Sequence, residues 1–123
     1  MLATERLIEI ELLCSGKAHH IEVVESDGEY LKIVIFFDDG SNLRVVELWD
    51  KNKLAKYSYY WLSSNKKLKI GWDNAPHHTK VETFPDHMHT GDKRNIASST
   101  QNCLEDVMAY IFQESDPDKK IIQ

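Results

Sequence analysis

Residues 30–72 read YLKIVIFFDDGSNLRVVELWDKNKLAKYSYYWLSSNKKLKIGW, and this stretch decides the fold. Tyr30 to Phe37 is almost unbroken apolar sequence, which predicts a central strand buried on both faces. Asp38-Asp39-Gly40-Ser41 is a hairpin turn. Leu43 to Trp49 is a second strand, and Asp50-Lys51-Asn52-Lys53 turns the chain again. Leu54 to Leu62 is an aromatic strand, Ser63-Ser64-Asn65 a turn, and Lys67 to Trp72 alternates in the period of a strand. Towards the N-terminus, His20 to Glu25 is a short strand closed by Ser26-Asp27-Gly28. Before it, Ile8, Ile10, Leu12 and Cys14 alternate with Glu9, Glu11 and Leu13, which predicts one more strand with a polar face. Six strands joined by short turns make an antiparallel meander.

Towards the C-terminus the pattern breaks. Residues 73–100 hold two Pro, four His and Gly91 with neither helical nor strand period, and so predict a long His-rich loop. Leu104, Val107, Met108, Ile111 and Phe112 then recur on one face of a helix. Ser99, Thr100 or Asn102 can cap it, Asn102 with Glu105 resembles a capping box, and Pro117 ends it. The expected fold class is α+β: a curled antiparallel meander of about six strands, with one C-terminal amphipathic helix packed across it. One helix covers two or three strands. The sheet must therefore curl, or a second copy of the chain, in a homodimer, must cover the rest. Residues 1–116 read as one domain and 117–123 as a flexible tail.

Composition narrows the class. Hydrophobic residues are 41% of the 123 and charged residues 28%, which excludes disorder along the whole chain. No apolar run approaches the roughly 20 residues of a membrane span. The first 14 residues lack the apolar core of a signal peptide, so a cytoplasmic protein away from membranes is expected. Cys14 and Cys103 form no CxxC and read as small buried hydrophobes. The net charge of −5 is unevenly spread. Residues 1–40 hold nine acids against three bases, residues 41–97 hold ten bases against six acids, and residues 98–123 hold five acids against two bases. The basic middle sets Lys51, Lys53, Lys56, Lys66, Lys67 and Lys69 beside Tyr57, Tyr59, Tyr60, Trp61 and Trp72. Ammonium groups next to aromatic rings suit RNA, whose phosphates they neutralise and whose unpaired bases stack. The same lysines also fit hairpin turns and edge strands, where charge blocks pairing with other chains.

The chemistry concentrates in Asp73-Asn74-Ala75-Pro76-His77-His78 and Thr83-Phe84-Pro85-Asp86-His87-Met88-His89. Each Pro fixes φ and stiffens the segment. His87 and His89, two apart, point the same way if extended, whereas His77 and His78 point to opposite sides, so at most one of that pair joins the other two. Two chemistries suit such a cluster. In metal-free RNA cleavage one imidazole takes the 2′-hydroxyl proton and an imidazolium protonates the leaving oxygen. Alternatively the imidazoles, with Asp73 or Asp86, hold a metal. The spacing matches no structural zinc pattern, so metal-free acid/base chemistry with no cofactor is the preferred expectation. The rival is a stiff loop whose histidines bond backbone carbonyls, on a non-enzymatic module that binds RNA or protein.

These same segments, with Tyr57-Ser58-Tyr59 and Leu104-Glu105-Asp106-Val107, resemble the TumE family of small toxins from toxin–antitoxin pairs, over roughly residues 20–113. The resemblance implies a small toxin neutralised by a cognate antitoxin protein. The family pattern places a His after Tyr-Ser-Tyr, a basic residue and Tyr before the Asp, and a further His after the second Pro. This chain has Tyr60, Gly71 with Trp72, and Asp86 at those positions. The expected reading is an endoribonuclease toxin acting on RNA. His77, His78, His87 and His89 are its candidate catalytic residues with Asp73 as orienter, while Tyr57, Tyr59, Lys93 and Arg94 are candidate substrate contacts.

Overall fold

Alternation along the strands sorts the side chains onto two faces, and the helices cover only one of them. The computed structural model describes residues 1–114, in the order α1 (Ala3–Cys14), β1 (His20–Asp27), β2 (Tyr30–Phe36), β3 (Asn42–Asp50), β4 (Lys53–Leu62), β5 (Leu68–Asp73), β6 (His87–Thr90), β7 (Ile96–Ser98) and α2 (Leu104–Glu114). All seven strands form one open antiparallel sheet in sequence order. The chain is an α+β meander with a C-terminal helix. The expected tail 117–123 and helix stop at Pro117 lie outside the described residues.

On the covered face Ile33, Val45, Tyr59 and Trp72 stand opposite one another in successive strands, all fully buried. They pack with Ile10 and Cys14 of α1 and with Leu104, Val107, Met108 and Ile111 of α2. Tyr110 meets Trp72 edge-on at 5.6 Å, and Phe112 meets Phe37 at 5.7 Å, so α2 reaches both halves of the sheet. Each large side chain taken out of water here contributes about 1.5–3 kcal/mol. Both cysteines are free, and burial pushes the Cys14 thiol up to about 11, which leaves it unreactive.

β2, read as a strand buried on both faces, instead alternates: Leu31, Ile33 and Ile35 are fully buried, while Lys32 is exposed and Val34 and Phe36 are half-buried. Two further local expectations are corrected. The segment predicted as a strand at Ile8–Cys14 is helical, because its buried residues are Ala3, Arg6, Ile10 and Cys14, at the spacing of a helix. Ile8 and Leu12, which produced the apparent alternation, are 61% and 74% exposed. Arg6 fixes the helix to the sheet. Its guanidinium donates to both oxygens of fully buried Glu47 at 2.8 and 3.1 Å, and to both oxygens of Glu105 at 2.9 Å. Burial opposes the charge on Arg6, but the bonds to Glu105 and Glu47 outweigh it and raise its pKa further. Tyr59 and the Trp49 indole also donate to Glu47, so this buried carboxylate is saturated with donors. The second correction lies within residues 73–100. The expected loop contains β6 and β7, which extend the sheet beyond β5 and bring the total to seven strands.

Candidate functional site

The face opposite the helices carries the histidines, and sheet register places them. Val46, Ser58, Asp73, His87 and Ser98 are opposed in turn across β3 to β7. In the next row Arg44, Tyr60, Gly71, His89 and Ile96 are opposed. Asp73 at the end of β5 therefore lies beside His87, with His89 two residues along the same strand face. The Asp73 carboxylate meets Nε2 of His87 at 3.0 Å through one oxygen and Nε2 of His89 at 3.2 Å through the other. It also accepts the Tyr60 hydroxyl at 2.9 Å and the Ala75 amide at 3.0 Å. His87, His89 and Asp73 are all buried.

The outer nitrogens of both rings are anchored. Nδ1 of His87 lies 2.9 Å from the Pro85 carbonyl, and Nδ1 of His89 lies 2.7 Å from the Lys93 carbonyl. A carbonyl only accepts, so each Nδ1 must carry a hydrogen and each neutral ring presents a lone pair at Nε2. His78 arrives from the turn after Pro76 and sets its ring edge-on to His87 and His89, with centroids 4.8 and 6.0 Å away. Ring nitrogens of His78, His87 and His89 lie within 4.8 Å of one another. His78 is held below its ordinary imidazole pKa by desolvation first and by His87 and His89 next, against the opposing pull of Asp73.

Tyr60 completes the floor. Its ring lies across Gly71, where a Cβ would come within 2.3 Å of two ring atoms, so residue 71 must be glycine for the hydroxyl to reach Asp73. Burial first and the bond to Asp73 next push the Tyr60 hydroxyl up to about 12. Above this floor opens a groove of about 930 Å³, walled by Lys56, Asn74, Pro76, His77 and Phe84. Lys32, Arg44 and Lys56 belong to this side of the sheet and form no ion pair among the described residues.

The other sequence candidates are placed differently. His77 is exposed on the groove wall, outside the cluster. Tyr57 is buried but lines the groove, donating to Asp86 at 2.7 Å and stacking on Tyr59 at 5.1 Å. Tyr59 is fully buried on the helix side against Glu47 and does not reach the groove. Lys93 holds its ammonium 5.4 Å from the Tyr60 ring centroid and supplies the carbonyl behind His89. Arg94 is exposed and paired with Asp92 at 2.9 Å, away from the cluster. His19 and His20 are exposed at the far edge of the sheet, just before and at the start of β1. Sequence reasoning named Lys56 and Tyr60 only within the basic, aromatic middle and Gly71 only as a departure from the family pattern, and assigned none of them to the site. The signal for Tyr60 was its odd position between Tyr59 and Trp61, which puts it on the opposite face from both.

Fold and site together define a class: a small α+β protein with an imidazole–carboxylate centre on the open face of a meander sheet. The family model for toxin TumE matches residues 5–118, and the chain belongs to this family. It is a toxin component of a toxin–antitoxin system, and the family implies an antitoxin partner. Neither a curated protein nor a solved structure matches the chain. Among the described residues no helix is long and apolar enough to cross a membrane.

Proposed function

We propose that this toxin cleaves RNA in the groove above Asp73, with His78, His87 and His89 forming the reacting centre. The observation that carries the reading is the convergence of three imidazoles and one carboxylate at the floor of an open groove. Buried charged groups are costly, and a fold that needed only a stiff loop would have no reason to gather them on one spot. The free cations Lys32, Arg44 and Lys56 support a polyanion as substrate, since each can neutralise a phosphate. His78 meets the substrate most directly, because no hydrogen bond among the described residues occupies its ring. His87 and His89 act from below through their Nε2 edges. Lys56 and Lys93 hold the phosphate chain. His77 contributes to the groove wall rather than to the chemistry, and Tyr59 to the core.

The test is cleavage of end-labelled RNA by purified protein, run with added divalent ions and again with EDTA. Cleavage in either buffer that disappears in His78→Ala supports the reading. Salt-sensitive binding with no products in both buffers would instead favour a non-enzymatic RNA-binding module.

A further inference from the structure

We propose that His78, His87, His89 and Asp73 form a binding site for one divalent first-row transition ion, of the class of zinc, nickel or cobalt. With Nδ1–H committed to the Pro85 and Lys93 carbonyls, the neutral rings of His87 and His89 aim Nε2 lone pairs at the two oxygens of a carboxylate, at 3.0 and 3.2 Å. Lone pair facing lone pair is repulsive, so a cation belongs in both contacts. It can be a proton on each ring or a single metal ion shared by all the groups. Two protons would give two adjacent imidazoliums, buried, with one carboxylate between them. One metal ion satisfies the same geometry with neutral rings.

Three further features agree. Ligating histidines characteristically donate their other N–H to a carbonyl or carboxylate, which orients the ring, and both rings here do so. Around an ion with N and O ligands at about 2.0–2.1 Å, adjacent ligand atoms lie roughly 3–3.4 Å apart, and the Nε2–carboxylate separations fall in this range. The third imidazole, His78, sits on a turn with its nitrogen within 4.8 Å of the others, and a small movement of that turn brings it into the shell. The set of three imidazoles and one carboxylate selects zinc-like ions over magnesium or calcium, which need oxygen ligands. Tyr60 then serves as an outer-shell partner that orients Asp73. This arrangement is invisible in the spacing of the sequence, because β5 supplies the carboxylate and β6 two of the rings. An ion there would face the groove and polarise a phosphate oxygen. That role in cleavage rests on the function proposed above, but the binding itself does not.

The experiment uses the full, untagged chain, stripped with EDTA and exchanged into chelator-free buffer. It is titrated calorimetrically with Zn2+, with Co2+ as a spectroscopic probe and Mg2+ for comparison. One equivalent of Zn2+ should bind, Co2+ should develop visible ligand-field bands, and Mg2+ should give no heat. His78→Ala, on an accessible turn, and His87→Gln should each weaken Zn2+ by at least the roughly 10–100-fold that even an outer-shell loss costs. His19→Ala together with His20→Ala should leave it unchanged, and circular dichroism confirms that each variant is folded. No stoichiometric binding, or binding that survives both cluster variants, overturns the site. If Zn2+ binds as expected and RNA stays intact, the metal site stands and the nuclease reading falls. If stripped protein cuts RNA in EDTA and binds no Zn2+, the metal site falls and the nuclease reading stands.

Discussion

Tyr60 and Gly71 face each other across β4 and β5, and the ring of one occupies the space a side chain on the other would need. The contact lets the Tyr60 hydroxyl pass over β5 to Asp73. Gly71→Ala should push the ring away, at a cost of about 1–3 kcal/mol for a tight pocket filled by one methyl group. Urea unfolding measures that cost. Tyr60→Phe keeps the ring and removes only the hydroxyl, at a comparable cost of about 1.5–3 kcal/mol for a bond to a charged acceptor, while lowering toxicity about 10–100-fold. A Tyr60→Phe protein as toxic as the parent would show that Asp73 needs no orientation.

Arg6 is the keystone between α1, β3 and α2. Arg6→Met leaves Glu47 buried and without its counter-charge, which should cost about 3–5 kcal/mol in chemical denaturation. Adding Glu47→Gln should recover part of the loss, because it removes the stranded charge. Equal instability of the single and double variants would place the damage in packing instead.

Glu105 gives the fold an acid-sensitive element. Its carboxyl is held below the ordinary value of 4.5, chiefly by the hydrogen bond from Arg6. A depressed folded-state pKa contributes stability that is fully present above the unfolded value and lost as pH falls through the folded one. Urea midpoints followed from neutral pH downwards should therefore drop below pH 4.5 in the parent and drop less steeply in Glu105→Gln. Parallel curves would remove Glu105 from the acid response.

Adjacent histidines should separate in function. Growth arrest in bacteria should persist in His77→Ala and disappear in His78→Ala, because only the second ring joins the cluster. A loss of about 100-fold or more in the RNA-cleaving rate is expected for His78→Ala. Toxicity lost equally in both variants would mean that the turn itself, rather than the His78 ring, is required.

Much of the fold was readable because strands with one buried face alternate. The turns between the strands and the alternation at Lys67–Trp72 were legible, whereas the unbroken apolar run around Ile33 hid the one-sided burial of β2. The reading failed where burial and hydropathy part company. The inward face of α1 includes Arg6, which any hydropathy pattern counts as outward, while Ile8 and Leu12 are apolar and face water. β6 and β7 are four and three residues long and mostly polar, so no period could reveal them. The histidine segments were visible as composition, but their convergence depends on pairing between β5 and β6. Tyr59 was the opposite error. Tyr57 and Tyr59 share one face of a strand that leads toward the histidine loop, which suggested a contact for substrate, yet Tyr59 is committed to Glu47.

The unbroken strand order has a consequence for how a cell can make this protein safely. Synthesis proceeds from α1 through β5 before either histidine of β6 exists. The nascent sheet can assemble strand by strand, each new hairpin docking on the last. Any chain released before His89 is translated lacks the complete carboxylate–imidazole centre, however well its sheet has formed. On the function proposed above, such fragments are unarmed, and the hazardous species arises only after β6 has been translated.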